Sequence, residues 1–232
     1  MVPVPSTSMG GQQVVACAWV DKTHARCHVV TIRRDCHELE RVESRGEAQA
    51  DRRRHSVDEK VQNMAYIQIR EITASEVVPL TFRLRFEVWN DEVQLTARVR
   101  AQRILSDQHD LHARHWAAFD GDQMVAAARM CIHSLREESP DAQVFHEMPL
   151  PVPVATNNYL VVKRAFQRRG IARQLDIFRI HAAREGNAAC VVLTTLDRRI
   201  GQLEQLGFKL TKFRYTPPFA ESIVASGMVL TL

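Results

Sequence analysis

The chain of 232 residues predicts a mixed α+β domain with a central sheet and flanking helices. Two observations carry this prediction. Residues 115–132 read as two apolar strands joined by a tight turn, which is typical of an antiparallel hairpin. Residues 160–193 read as a strand, a helix and a second strand, which is typical of a parallel crossover. The sheet is therefore expected to be mixed.

The N-terminal quarter differs in composition from the rest. All nine Phe and all three Tyr follow Met64, and residues 1–63 contain a single Leu, Leu39. Such a segment buries too little apolar surface to offset its ordering entropy. We expect residues 1–63 to be disordered, or to be an upstream extension of a gene whose functional start is Met64. Residues 64–232 are expected to form one domain.

Charge and cysteine usage narrow the function classes. The formal net charge of +4 argues against a dedicated nucleic-acid binder, and no apolar run approaches the about 20 residues that span a bilayer. Five cysteines without a Cys-x-x-Cys pair favour reduced thiols and a cytoplasmic location. No metal site is expected, because the cysteines near the N-terminus are widely spaced and His115, in the His109, His112 and His115 series, opens a strand.

The first predicted elements are a strand at 66–72 and a helix after it. The helix begins with a capping box, Thr73-x-x-Glu76. One face should carry Val77, Leu80, Leu84 and Val88, and Pro79 should fall within about the first turn. The predicted hairpin follows, with strands at 115–119 and 123–132. Residues 134–156 contain four prolines and are expected to form a long surface loop, a type of loop that is often functional.

The crossover surrounds a glycine-containing turn. A short strand at 160–162 precedes it, and a helix with apolar residues at helical spacing follows, ending at Gly186 and Asn187 before the strand at 190–193. In loop 167–172, Gly170 and Ala172 leave room for an anion at the backbone N–H groups of the helix start. The charges of Arg168, Arg169 and Arg173 suit a pyrophosphate. The loop is therefore a predicted phosphate site.

Here the sequence resembles the GCN5-related N-acetyltransferase superfamily. Its Gln/Arg-x-x-Gly-x-Gly/Ala motif is matched by Gln167, Gly170 and Ala172, with an apolar Val162 five residues before the Gln. Leu206-Gly207-Phe208 matches a Leu-Gly-Phe that closes the next helix in many members. Residues 84–89 with Glu92 look like the Leu-Arg-x-x-Val-Phe-x-x-Glu of one acyltransferase branch. The resemblance covers about residues 65–232 and implies a mostly antiparallel sheet with one splayed parallel pair.

The resemblance implies transfer of an acyl group, most often acetyl, from acyl-coenzyme A to an amine of a small molecule or peptide, by direct attack in a ternary complex. The implied coenzyme A contacts come from the strand at 160–162 and from the loop and helix start that follow it. They are Leu160, Val161, Val162, Gln167, Arg168, Arg169, Gly170, Ile171, Ala172 and Arg173. The Val162 N–H is the candidate donor to the oxyanion. A homodimer is a common arrangement among such proteins; neither nucleic acid nor membrane is implied as a partner.

The acid and the base are less clearly marked. The Tyr that many members use as the acid is replaced by Leu203, and a familiar Asn is replaced by Leu196. Water, Tyr159 or Tyr215 could protonate the thiolate instead. Asn157 and Asn158, read as preceding the strand, could hold a water or orient the amine. Glu87 and Glu92 on the first helix are candidate carboxylates on the substrate side, although they equally suit a solvated helix face.

Two other functions stay open at this stage. One is an acyltransferase that takes its acyl group from a carrier protein, as acyl-homoserine-lactone synthases do, which the first-helix pattern of Arg85, Glu87 and Val88 would fit. The other is a non-catalytic module that binds coenzyme A as a sensor, which the replacement of the family Tyr suggests.

Overall fold

A computed structural model describes residues 30–32, 67–140, 142 and 144–232. Its centre is an eight-stranded sheet in the order β1-β2-β3-β4-β5-β6-β8-β7. The strands are β1 Val30–Ile32, β2 Ile67–Ile72, β3 Arg114–Asp120, β4 Gln123–His133, β5 Val154–Val162, β6 Cys190–Thr195, β7 Lys209–Tyr215 and β8 Ala225–Thr231. Apart from β1, residues 1–63 lie outside the described residues, and the expectation for that segment stays a prediction.

Four α-helices accompany the sheet: α1 Ala74–Glu92, α2 Ala97–Gln102, α3 Ile171–Glu185 and α4 Ile200–Glu204. Short 3₁₀ turns span Gln108–Leu111, Arg136–Glu138, Arg164–Phe166 and Asp197–Arg199. Helices α1 and α3 both pack on β4 and β5. They belong to different core clusters, with Leu175 of α3 beside Trp116 in one and Leu84 of α1 beside Ala117 in the other. Because successive side chains of a strand point to opposite faces, the two helices cover opposite faces of the sheet.

Both patterns that predicted the fold class are confirmed. Strands β3 and β4 form an antiparallel hairpin around a turn at Gly121 and Asp122. Strands β5 and β6 are the parallel pair, joined through α3, and all other neighbouring strands are antiparallel. The predicted mixed and mostly antiparallel sheet is therefore present.

Helix α1 confirms its predicted start but not every predicted contact. The Thr73 N–H donates to the Glu76 carboxylate over 3.1 Å, as the capping box requires. Leu84 and Val88 are buried, whereas Leu80 is 49% exposed, so the apolar face is buried only toward the end of the helix. Residues 78–80 are all exposed. Pro79 lies in the second turn rather than the first, since the helix begins at Ala74.

The predicted loop 134–156 is shorter and less superficial than expected. Strand β5 begins at Val154, because residues 154–156 pair with β4 on one side and with β6 on the other. Asn157 and Asn158 therefore lie within the strand, and the prediction that they precede it is wrong. Within the loop, Val144 and Phe145 are buried against Cys190 and Val192, so part of the loop belongs to the core.

Strands β5 and β6 diverge as the resemblance implied. Among the described residues their pairing is limited to residues 154–156 of β5 and 190–192 of β6. Beyond this point β5 stays paired with β4 through Val162, with an irregular register opposite Ala127 and Arg129. Tyr159 lies at this irregularity with a left-handed φ of 49°. The splay leaves one edge of β5 open.

None of the helices in the described part of the chain combines the length and hydropathy needed to cross a bilayer.

Candidate functional site

A cavity of about 810 Å³ opens where β5 and β6 diverge. Its wall comes from β5, the loop before α3, the segment after β6, the end of α1 and the chain around residues 104–109. The predicted phosphate loop and the open edge of β5 therefore share one cavity. The rest of the cavity wall comes from segments that are distant from them along the chain.

Loop 167–172 has the geometry of an anion site. Gly170 is the residue before α3 and has a φ of 77°, a left-handed conformation that favours glycine. A Cβ atom at this position would meet no atom within 4 Å. The Gln174 N–H donates to the Gly170 carbonyl over 3.0 Å. The N–H groups of residues 171–173 precede that bond and have no intrahelical acceptor. They open α3 beside unfilled space, which suits a phosphate.

The polar side chains of this loop have distinct surroundings. The Gln167 side-chain amide donates to the Val162 carbonyl over 3.1 Å and to the Glu92 carboxylate over 2.8 Å. Arg168 is exposed and lines the cavity. Arg169 donates to the Ala165 carbonyl over 2.7 Å and lies over the Phe166 ring. Arg169 and Arg173 stand outside the cavity wall. Of the three arginines predicted to face a pyrophosphate, only Arg168 is part of the wall.

The predicted coenzyme A contacts on β5 line the cavity, as do Gly170, Ile171 and Ala172. The Lys163 N–H donates to the Val125 carbonyl of β4 over 2.9 Å. Because N–H groups alternate in direction along a strand, the N–H of Val162 points away from β4, toward the splay. The Val162 carbonyl, which accepts from Gln167, lies on that side too. Val162 therefore presents backbone groups to the cavity, as an oxyanion donor must.

The Tyr159 ring contacts two buried guanidinium groups. The ring is 4.5 Å from the Arg85 guanidinium carbon and 4.6 Å from that of Arg129. Arg85 is paired with Asp110 over 2.8 Å, and Arg129 with Asp107 over 2.5 Å. Burial raises the pKa of Tyr159 above its usual range, which outweighs the nearby positive charges. The phenol is therefore protonated at neutral pH.

Sequence reasoning missed most of this charged cluster. The sequence analysis singled out Arg85 and Tyr159. It did not identify Asp107, Asp110 or Arg129 as part of the site. The available signal was Arg129 itself, since an arginine inside an otherwise apolar strand is rarely buried unless it is paired.

A second buried cluster lies on α3 and was also missed. The Asp176 carboxylate accepts hydrogen bonds from both Arg179 and Arg199. Arg179 also donates to the carbonyls of Arg129 over 3.1 Å and Asn158 over 3.3 Å, where β4 and β5 are irregularly paired. Asp176 and Arg179 are almost completely buried, and both arginines line the cavity. Two guanidinium groups thus share one carboxylate at the splay.

The structure separates the two predicted substrate-side carboxylates. Glu92 lines the cavity and is held by Gln167 and by an ion pair with Arg198. Glu87 lies outside the cavity wall, where its half-exposed carboxylate is 3.9 Å from the Lys163 ammonium. Only Glu92 is brought to the site.

Leu203, Leu196 and Tyr215, which the search for an acid singled out in the sequence, lie in different surroundings. Leu203 is fully buried in the core beside Phe208 and does not line the cavity. Leu196 and Tyr215 do line it. Within the described residues, no three His, Cys, Asp or Glu side chains are grouped to hold a metal ion.

No protein-family model and no curated protein matches the sequence. Solved structures do match the fold. One is a protein from Lactobacillus plantarum assigned as an N-acetyltransferase, at 14% identity and a TM-score of 0.53, over 72% of this chain and 98% of that chain. Another is FeeM, an N-acyl amino acid synthase from uncultured soil microbes, at 12% identity and a TM-score of 0.50, over 71% of this chain and 90% of that chain. At these identities the similarity concerns the fold, and the chain has the fold of the GCN5-related N-acetyltransferases.

Proposed function

We propose that the protein is an N-acyltransferase that moves an acyl group, most simply acetyl, from acyl-coenzyme A to the amine of a small molecule or peptide. The observation that carries the proposal is the continuity of one cavity from the open edge of β5 to the N–H groups that open α3. A diphosphate and an amide-containing arm need these two features side by side.

The residues present fit coenzyme A as a substrate. The N–H groups of residues 171–173, with Arg168 in the wall and Arg169 and Arg173 nearby, would bind the diphosphate. The open edge at residues 160–162 would hydrogen-bond the amides of the arm, as a neighbouring strand would. The Val162 N–H would then donate to the carbonyl oxygen of the thioester as negative charge develops on it. Gln167 holds the carbonyl of the same residue and so fixes its orientation.

Proton transfers are assigned to β5. Tyr159 lines the cavity and its phenol carries a proton, so we assign it the proton that the leaving thiolate requires. Tyr215, which lines the same cavity, is the alternative acid. Asn157 and Asn158 would orient the amine or a water that removes its proton. We place Glu92 beside the acceptor as a positioning residue, because its carboxylate is already held by two donors.

Two alternatives stay open. FeeM is an N-acyl amino acid synthase, which favours a small-molecule acceptor for the proposed acyl transfer. The alternative in which a carrier protein delivers the acyl group rests on the first-helix pattern of Arg85, Glu87 and Val88. A sensor that binds coenzyme A without turnover is the other alternative, and it rests on Leu203.

One set of measurements separates these functions. Thermal shift with acetyl-coenzyme A and with free coenzyme A tests binding, and a thiol-release screen over amines tests turnover with acetyl- and long-chain acyl-coenzyme A. We expect binding of both forms and release of thiol with at least one amine. Turnover only with acyl-carrier protein would favour the carrier-protein alternative, and binding without turnover on any amine would favour the sensor. A cytoplasmic location and a homodimer stay predictions.

A further inference from the structure

Some polar atoms at the splay have no hydrogen-bond partner among the described residues. Asn157 is 4% exposed and lines the cavity, and both polar atoms of its side chain have no hydrogen-bond partner in the described part of the chain. A buried amide normally has partners, because removing it from water without them is unfavourable. The side chain therefore has unused hydrogen-bonding capacity at the cavity wall.

The charges of the Asp176, Arg179 and Arg199 cluster do not balance. Asp176 carries one negative charge, whereas Arg179 and Arg199 carry two positive charges, so the cluster retains one net positive charge. The Nε–H of Arg199 is buried and, among the described residues, has no acceptor. The nearby Glu92 is already paired with Arg198, and Asp107 and Asp110 are paired with Arg129 and Arg85. None of these carboxylates neutralises Arg199.

One hydrogen-bond network runs from Arg199 to the main chain of β5 next to Asn157. Arg199 binds Asp176, Asp176 binds Arg179, and Arg179 donates to the carbonyl of Asn158, the residue after Asn157. Both ends of this network line the cavity that holds the open edge of β5. A group that enters this cavity would therefore meet guanidinium and amide donors in its wall.

We propose that Arg199 and Asn157 form a subsite for a carboxylate on one of the two substrates. This inference rests on the proposed function and specifies its substrate class. A carboxylate accepts hydrogen bonds from a guanidinium and an amide and neutralises the surplus charge. It belongs either to the acceptor, which would then be an amino acid, or to the acyl group, which would then be the half-thioester of a dicarboxylic acid.

The test variant is Arg199→Gln, which removes the surplus charge and leaves Asp176 paired with Arg179. Arg184→Gln, which changes an exposed arginine of α3, is the control. Asn157→Ala is a second variant that removes the amide alone. In the acceptor arm, amino acids are compared with the corresponding amino-acid amides, with acetyl-coenzyme A as donor. In the donor arm, succinyl-coenzyme A is compared with butyryl-coenzyme A, with an amine that carries no carboxylate.

We expect the unmodified protein to prefer the carboxylate in one arm by at least about tenfold in kcat/KM. Arg199→Gln and Asn157→Ala should reduce that preference to less than about threefold, and Arg184→Gln should keep it. The arm that shows the preference identifies the source of the carboxylate. A lack of preference in both arms would overturn the proposal. Weaker binding of free coenzyme A by Arg199→Gln would also overturn it, because coenzyme A has no carboxylate and Arg199 would then be a cofactor contact.

Binding measurements keep this inference separate from the proposed function. Calorimetry with protein saturated with coenzyme A compares the same amino acids and amides, and direct titration compares the two acyl-coenzyme A forms. A carboxylate preference in binding without any turnover would contradict the proposed function alone. Turnover without a preference would contradict the subsite alone.

Discussion

Gln167 donates from its side-chain amide to the Glu92 carboxylate over 2.8 Å and to the Val162 carbonyl over 3.1 Å. One side chain thus joins the end of α1 and the end of β5 to the loop before α3. The motif glutamine has a structural role here that its place in the sequence does not reveal. It fixes the loop against the strand, and it holds the only carboxylate among the two predicted ones that reaches the cavity.

Glu92→Gln tests whether this carboxylate positions groups or removes a proton. The amide oxygen can still accept from Gln167, and the half-exposed ion pair with Arg198 contributes at most about 1 kcal/mol. We expect kcat to fall by less than about tenfold, whereas loss of a general base costs about 100-fold or more. Glu87→Gln, outside the cavity wall, is the control. If the variant loses the acidic limb of the pH profile of kcat, Glu92 is the base.

Gly170→Glu tests the phosphate loop and has a close control in Gly121→Glu. Both glycines have a left-handed φ, and a Cβ would meet nothing within 4 Å at either site, so the backbone strain of about 1 kcal/mol should be similar. Only Gly170→Glu introduces a carboxylate beside the N–H groups of α3. We expect its dissociation constant for coenzyme A, measured by calorimetry, to rise by about 100-fold or more. Unchanged affinity would contradict the phosphate site.

The sequence predicted those elements whose structure depends on residues close to one another along the chain. The hairpin of β3 and β4 follows from alternation and a glycine turn, and the start of α3 follows from Gly170. The first residues of β5 were missed because they follow a proline-rich loop. Their strand conformation depends on pairing with β4 and β6 together, which no local pattern records.

The same distinction applies to the site. Loop 167–172 was predictable because its glycine and the helix that follows are adjacent in sequence. Asp107 and Arg129 are 22 positions apart, and Asp176 and Arg199 are 23 apart. Each charge alone is consistent with an exposed surface, and only the folded chain brings the pairs together and buries them. The buried clusters therefore required the structure.

Leu203→Tyr shows how the structure changes an expectation from family resemblance. The resemblance implies an acid at this position, but Leu203 is fully buried in the core and does not reach the cavity. We expect the larger side chain to lower the free energy of unfolding by about 1–3 kcal/mol without raising kcat. Leu203→Met, with similar volume, should cost less than about 1.5 kcal/mol in denaturant titrations. A faster enzyme of unchanged stability would show that the position does face the substrate.

Tyr159→Phe isolates the hydroxyl group from the stacked ring. Phe keeps the ring in contact with the guanidinium groups of Arg85 and Arg129, so coenzyme A affinity and stability should change little. We expect kcat to fall by about tenfold or more if the hydroxyl protonates the thiolate. Tyr159→Leu also removes the ring and should cost about 1–2 kcal/mol of stability in addition. An unchanged kcat in Tyr159→Phe would mean that Tyr159 does not protonate the thiolate. The Tyr215→Phe variant would then test Tyr215 as the acid.

His115 makes stability depend on pH. Burial, with a further contribution from the Arg85 guanidinium, lowers the pKa of His115 to about 4 from an ordinary value of 6.5. The unfolded chain therefore binds a proton at a higher pH than the folded protein does. The contribution is complete well above pH 6.5 and is lost as the pH falls toward 4. Between pH 7 and pH 5 we expect a loss of about 2 kcal/mol in the free energy of unfolding, measured by urea titration.

The variant His115→Gln separates this effect from other acid-sensitive groups. Burial also lowers the pKa of His133, which shifts stability in the same direction, so the informative quantity is the difference between the two proteins. Gln can still donate to the Asp110 carbonyl, which His115 contacts over 3.2 Å, and it carries no titrating group. We expect the variant to show a shallower decline from pH 7 to pH 5. Equal slopes for both proteins would mean that His115 is not the group whose protonation opposes folding, and that the buried cluster of Arg85, Asp110 and Arg129 tolerates an additional positive charge.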